Sequence, residues 1–200
     1  MGLETTNKKM IYLNISNGKL VYKDSKGEKA TADSIVGVIK KVDFADEEYQ
    51  GQTFNKAKIT ISDGGDSDYS LQMRTDSGYF RGLCNSLKSG KPLDTVKIVP
   101  SLKEVSGKKQ ITCFVQQDGK WLKHFFNKDN VGDLPPLEKV SFKGKDLLDG
   151  SAQINYWKNW LSTIYNNNVS VSASMPTQIA TPEVELYEPN FTEGDDEIPF

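Results

Sequence analysis

Residues 109–126 read KQITCFVQQDGKWLKHFF. Asp118-Gly119 separates two strand-like runs and suits a two-residue hairpin turn, whose central positions favour such a dipeptide. Closing the hairpin there sets Gln116 opposite Trp121, Val115 opposite Leu122 and Phe114 opposite Lys123. Further out, Cys113 faces His124, Thr112 faces Phe125 and Ile111 faces Phe126. Side chains alternate across a pleated strand. One face therefore carries Ile111, Cys113, Val115, Leu122, His124 and Phe126, the character of a core. The other carries Thr112, Phe114, Gln116, Trp121, Lys123 and Phe125, three aromatics among polar and basic groups.

Upstream strands sort the same way. In 53–62, Ala57, Ile59 and Ile61 point inward, with Phe54, Lys56, Lys58 and Thr60 outward. In 68–74, Tyr69, Leu71 and Met73 go in, and Gln72 and Arg74 out. Strand 95–103 buries Val96 and Ile98 and turns Lys97 out; a further strand is expected at 35–44. The interruption at 76–89 puts Tyr79, Phe80, Leu83, Cys84 and Leu87 at helical spacing, with Gly90 and Pro92 as stop signals. Before these, 10–23 reads as a hairpin around Asn17-Gly18 and 24–33 as a polar loop. After Pro135-Pro136 come a short strand at 138–142 and a helix over 151–165 whose face is Ile154, Trp157, Leu161 and Ile164, widened by Trp160. Strands, one helix, then strands is the order of an OB-type five-stranded Greek-key barrel, which makes the fold mostly β; a small α+β sheet domain would give a similar string.

With 200 residues, 36% of them hydrophobic, the chain can bury one core, and it has no apolar run long enough to span a membrane. Two cysteines, Cys84 and Cys113, make neither a disulfide scaffold nor a zinc site, and a cytoplasmic protein is expected. The net charge of -2 hides an asymmetry. Residues 166–200 hold no Lys or Arg and seven acids, leaving a net +5 on residues 1–165. An acidic tail on a basic body suggests an interaction tail and a polyanionic partner. The expected organisation is a barrel domain over 1–165, a flexible linker over 166–190 and an acidic partner-binding tail over 191–200.

Aromatics interleaved with cations on a sheet face suit single-stranded nucleic acid: bases stack on rings while cations track phosphates. Phe54, Lys56, Lys58, Arg74, Phe114, Trp121, Lys123 and Phe125 are the expected DNA-binding residues. The alternative is that the C-terminal helix or a second subunit covers these rings, which also leaves a homo-oligomer open.

The chain ends Asp195-Asp196-Glu197-Ile198-Pro199-Phe200. An acidic run closing on Ile-Pro-Phe after a low-complexity linker resembles the tail of bacterial single-stranded DNA-binding proteins; chance agreement is on the order of 10⁻⁷ at average residue usage. The resemblance is close over six residues and extends to linker and barrel only in outline, which points to a divergent, phage-encoded member working in a bacterial cell. It implies recruitment of DNA replication, recombination and repair enzymes through that tip. An apolar pocket with a basic rim would suffice to capture the ring and carboxylate of Phe200.

No catalytic constellation emerges, and a non-enzymatic protein without cofactor or metal is expected. His124, the only histidine, reads as a core residue beside Cys113, and no triad can be built without another. Asp63-Gly64-Gly65-Asp66-Ser67-Asp68 reads as a turn, since the calcium-loop position needing Glu is Arg74. The acids Asp43, Asp46, Glu47 and Glu48 read as a solvated strand end, with a metal-dependent nuclease as the rival. A further rival is an adaptor that docks its tail on repair enzymes without binding DNA.

Overall fold

The computed structural model describes residues 8–142 and 145–166, so the linker and acidic tail expected beyond residue 166 lie outside it. In chain order the elements are β1 (Lys9–Ser16), β2 (Lys19–Lys23), β3 (Lys29–Ala32), β4 (Ile35–Tyr49), β5 (Gln52–Ser62) and β6 (Ser67–Arg74). Then follow α1 (Gly78–Lys88), β7 (Thr95–Val105), β8 (Lys108–Gln117), β9 (Lys120–Trp121), β10 (Glu138–Phe142), β11 (Lys145–Asp149) and α2 (Ser151–Tyr165).

The main sheet runs β3-β2-β1-β6-β5-β4-β7-β8-β9, and β10 and β11 form a separate hairpin. Within it, β4, β5 and β6 meander, the chain passes through α1, and β7 returns to the free side of β4. That order, fourth-first-second-third, defines a Greek key, and β8 completes the five strands of an OB-fold-like barrel. The sheet bends along β4. A register shift between Ile39 and Lys41 marks an extra residue there. At Gly37 a Cβ would sit 2.6 Å from the Ser62 carbonyl oxygen, so only glycine lets the two chains approach so closely.

The N-terminal hairpin completes the curl. β1 pairs in parallel with β6, from Lys9 opposite Ser67 to Asn14 opposite Gln72. Its turn, Asn17-Gly18, has φ of 51° and 73° and reaches β7, where a Cβ on Gly18 would fall 2.6 Å from the Leu102 nitrogen. Gly18 N–H also donates to the Tyr79 hydroxyl at 3.0 Å. The hairpin thus links β6 to β7 by packing. Leu13 and Leu20 enter the same core as Ile39, Val42, Ile59, Leu71, Phe80, Leu83, Ile98 and Val115.

Four expectations are corrected. The polar stretch 24–33 contains β3: Asp24 Oδ1 accepts from Lys26 and Glu28 N–H, so the acid organises a tight turn and the chain pairs back on β2. β11 is an additional strand, and β4 continues to Tyr49. The fourth correction concerns the hairpin of residues 109–126. Gln116 does oppose Trp121, and the Leu122 N–H still donates to the Val115 oxygen at 2.8 Å, but the ladder stops there. Ser77 caps α1, its hydroxyl accepting the Phe80 N–H, and α1 then runs along the β8 edge the returning strand would have used. A Cβ on Gly78 would meet the Ile111 oxygen at 2.5 Å, and one on Gly82 the Cys113 nitrogen at 2.9 Å. Asn85 of α1 then binds both backbone groups of Phe126, donating to its oxygen at 2.9 Å and accepting its N–H at 2.7 Å. A side chain has replaced a strand partner. Ile111, expected inside, is consequently exposed.

α2 has its expected ends but a rotated face. Gln153, Trp157, Leu161 and Tyr165 are buried, while Ile154, Trp160 and Ile164 are only partly so. Its end is fastened to β4, where Asn166 exchanges two hydrogen bonds with the backbone of Val42 (3.1 and 2.7 Å).

Candidate nucleic-acid interface

The outward residues of β5 and β6 lie side by side, Lys56 opposite Arg74 and Lys58 opposite Gln72. The Arg74 guanidinium lies 5.3 Å from the Phe54 ring centroid, in cation–π contact. These four predicted residues form one patch. On the same face the next rows run Asn14, Gln72, Lys58, Asp43 and Tyr12, Ser70, Thr60, Lys41.

The patch carries its own anions. Glu47 bridges both lysines, Oε2 to Lys56 Nζ at 2.8 Å and Oε1 to Lys58 Nζ at 3.2 Å. The Lys56 hydrogen bond, chiefly, holds the Glu47 carboxyl below its ordinary pKa. Arg74 donates through Nε to Asp76 at 2.9 Å, an interaction that lowers the Asp76 pKa and raises that of Arg74. The acids suspected of metal chemistry have mostly local partners: Asp43 pairs with Lys41 at 2.8 Å and Asp46 accepts from Asn55 at 2.8 Å. Among the described residues, no three His, Cys, Asp or Glu side chains converge to hold a metal ion. Asp63 accepts from the Gly65 N–H and the Tyr69 hydroxyl, as a turn residue does.

A second patch lies across β7, β8 and β9. Phe114 and Trp121 meet edge to face, centroids 6.2 Å apart at 78°, both half-buried. Lys97 opposes Gln116, which opposes Trp121, and Lys123 follows two residues on, exposed. β4 connects the patches: Val36 pairs with Lys97 and Ala45 with Lys56. Nine residues of strand, about 30 Å at 3.3 Å per residue, separate those positions. The eight residues are therefore not one cluster.

Phe125 stands apart from both patches. Once the chain leaves β8, this ring packs against Phe126 and the Lys88 ammonium, at 5.0 and 5.2 Å. Lys88 is ringed by Phe125, Phe126, Tyr156 and Trp160, all within 5.6 Å, and donates to the Tyr156 hydroxyl at 2.6 Å. That cluster fastens α1 to α2. So a helix does cover one of the three aromatics, while Phe114 and Trp121 stay on the sheet.

Sequence reasoning missed Tyr12, 59% exposed on β1. Its signal is the alternation of Tyr12 with the half-buried Ile11 and buried Leu13, which assigns it to the outer face only once β1 joins the sheet through β6.

No protein-family model and no curated protein matches this chain. Among solved structures, the OB domain of Ta0387 from Thermoplasma acidophilum is similar at 13% identity and a TM-score of 0.24, over 42% of this chain and 72% of that one. At that TM-score the OB-like assignment rests on strand order alone.

Proposed function

We propose that this protein binds single-stranded DNA without marked sequence preference, by stacking bases on outward rings and neutralising phosphates with nearby cations. The observation that carries the reading is the outer sheet face, where Phe54, Lys56, Lys58 and Arg74 adjoin one another while the core is complete without them. Phe114 and Trp121 would extend the path across β8 and β9. A strand crossing both patches would cover several nucleotides, within the roughly 4–16 that OB folds occupy. The protein would coat and protect exposed strands in replication, recombination and repair, with Asp195 to Phe200 recruiting partner enzymes.

Glu47 and Asp76 favour a second reading, because they already neutralise the cations DNA would need. In that reading the chain is an adaptor: its tail docks on a repair enzyme and the barrel binds no DNA.

A fluorescence titration with oligo-dT separates the two. Trp157 is buried and Trp160 partly covered by the Lys88 cluster, so quenching by a bound strand should come from Trp121. Tight binding that weakens with salt, and that Trp121→Ala reduces by about 1–3 kcal/mol, is the expected result. Removing residues 192–200 should leave affinity intact or raise it while abolishing enzyme recruitment. No binding by either form would leave the adaptor.

A further inference from the structure

Between the two patches, β4 breaks its alternation. Ile39 and Val42 are buried, 1% and 0% exposed, while Lys40 and Lys41 between them are both exposed. A regular pleat would put one outward residue between two inward ones. The extra residue is the bulge: Ile39 pairs with Ile61 and Lys41 with the adjacent Thr60, which leaves Lys40 without a partner on β5. Both lysines therefore leave the strand on its outer side.

The two lysines differ in what neutralises them. Lys41 pairs with Asp43, as Lys56 and Lys58 pair with Glu47 and Arg74 with Asp76. No carboxylate among the described residues lies within ion-pair distance of Lys40, nor of Lys97 on β7, which is partly exposed. Lys97 lies beside Val36, four residues along β4 from Lys40, or about 13 Å. Five further residues, about 17 Å, lead from Lys40 to Ala45, the neighbour of Lys56. Lys40 thus stands midway between the patches.

We infer that Lys40 and Lys97 make the first phosphate contacts with single-stranded DNA and carry the strand along β4 from one patch to the other. A phosphate reaching Lys56 or Lys58 must displace Glu47, so it exchanges one ion pair for another. A phosphate reaching Lys40 or Lys97 displaces only water and small ions, and the counterions that leave the strand are a net gain. This inference rests on the proposed DNA reading and deepens it, naming which cations supply the salt-dependent part of binding. The paired lysines follow once Glu47 has been displaced.

Anisotropy of a fluorescein-labelled oligo-dT, titrated over a range of salt concentrations, tests the order of contacts without relying on Trp121. Each phosphate contact to a single strand contributes about 0.7 to the slope of log affinity against log salt. Lys40→Gln and Lys97→Gln should each lower the slope by about that amount, and the pair by about 1.4, while Lys40→Arg keeps the native slope. Lys56→Gln, whose charge Glu47 already holds, should lower it by less. Should Lys40→Gln fail to fold, Lys97→Gln gives the same reading from another strand. A native chain that binds, with a slope unchanged in whichever glutamine variant folds or lowered no more than in Lys56→Gln, overturns this inference and leaves the DNA face standing. No binding by the native chain, with or without residues 192–200, overturns both.

Discussion

Glu47 sits where a backbone phosphate would have to sit, between Lys56 and Lys58. A strand approaching this patch must displace that carboxylate. Glu47→Gln keeps the shape and removes the charge, so it should tighten oligo-dT binding by about 1 kcal/mol at low salt, the upper range for an exposed ion pair. An unchanged isotherm would show that DNA does not contact these lysines. A second residue-scale expectation follows from His124. Burial lowers its pKa, so the folded protein favours the neutral ring, whereas in the unfolded chain the ring titrates near about 6.5. Below that pH the unfolded state gains a proton the folded state does not. The stabilisation is full above about pH 6.5 and is lost as pH falls toward the depressed folded value. Melting temperature should therefore drop more steeply between about pH 6.5 and 5 in the native protein than in His124→Gln; equal slopes would refute this. Alternation alone identified Lys56, Lys58 and Arg74 as outward, because a pleat leaves only two choices. Glu47, three positions beyond the expected end of its strand, was not legible, since its meeting with them depends on how far β4 extends.

Among the elements, α1 decides how the rest is arranged. Its packing against β8 needs Gly78 and Gly82, since a Cβ at Gly82 would lie 2.1 Å from Thr112 Oγ1 and 2.9 Å from the Cys113 nitrogen. In an open helix, Gly→Ala gains about 1 kcal/mol. Here the clash involves backbone and should win, so Gly82→Ala is expected to destabilise by about 1–3 kcal/mol, measurable by denaturant unfolding. A stabilised variant would mean that α1 and β8 can separate without loss. This packing also explains which elements the sequence revealed. The limits of α2 and the apolar face of α1 were legible because helical periodicity is local. The end of β9 was not. Residues 122–126 alternate as a strand should, and only the competing contact from Asn85, about forty residues earlier, draws Phe125 and Phe126 toward the helices.

For the molecule as a whole, the open question is whether the N-terminal hairpin is an ornament or part of the barrel. Asn17-Gly18 reveals its turn but not its role, because parallel pairing of β1 with β6 joins segments more than fifty residues apart. Leu20 is 1% exposed and Leu13 4%, both in the common core, and the turn touches Leu102 and Tyr79. If the hairpin is integral, it unfolds with the rest in one transition. Leu20→Ala should then cost about 2–5 kcal/mol, as large-to-small core changes do. The loss should be equal whether read from the fluorescence of Trp157 on the buried face of α2 or from far-ultraviolet dichroism of the sheet. Were the hairpin only appended, Leu20→Ala would split the dichroism into two transitions and leave the Trp157 midpoint where it was. Coincident, shifted transitions would establish that the OB-like barrel of this protein is closed by its own N-terminus.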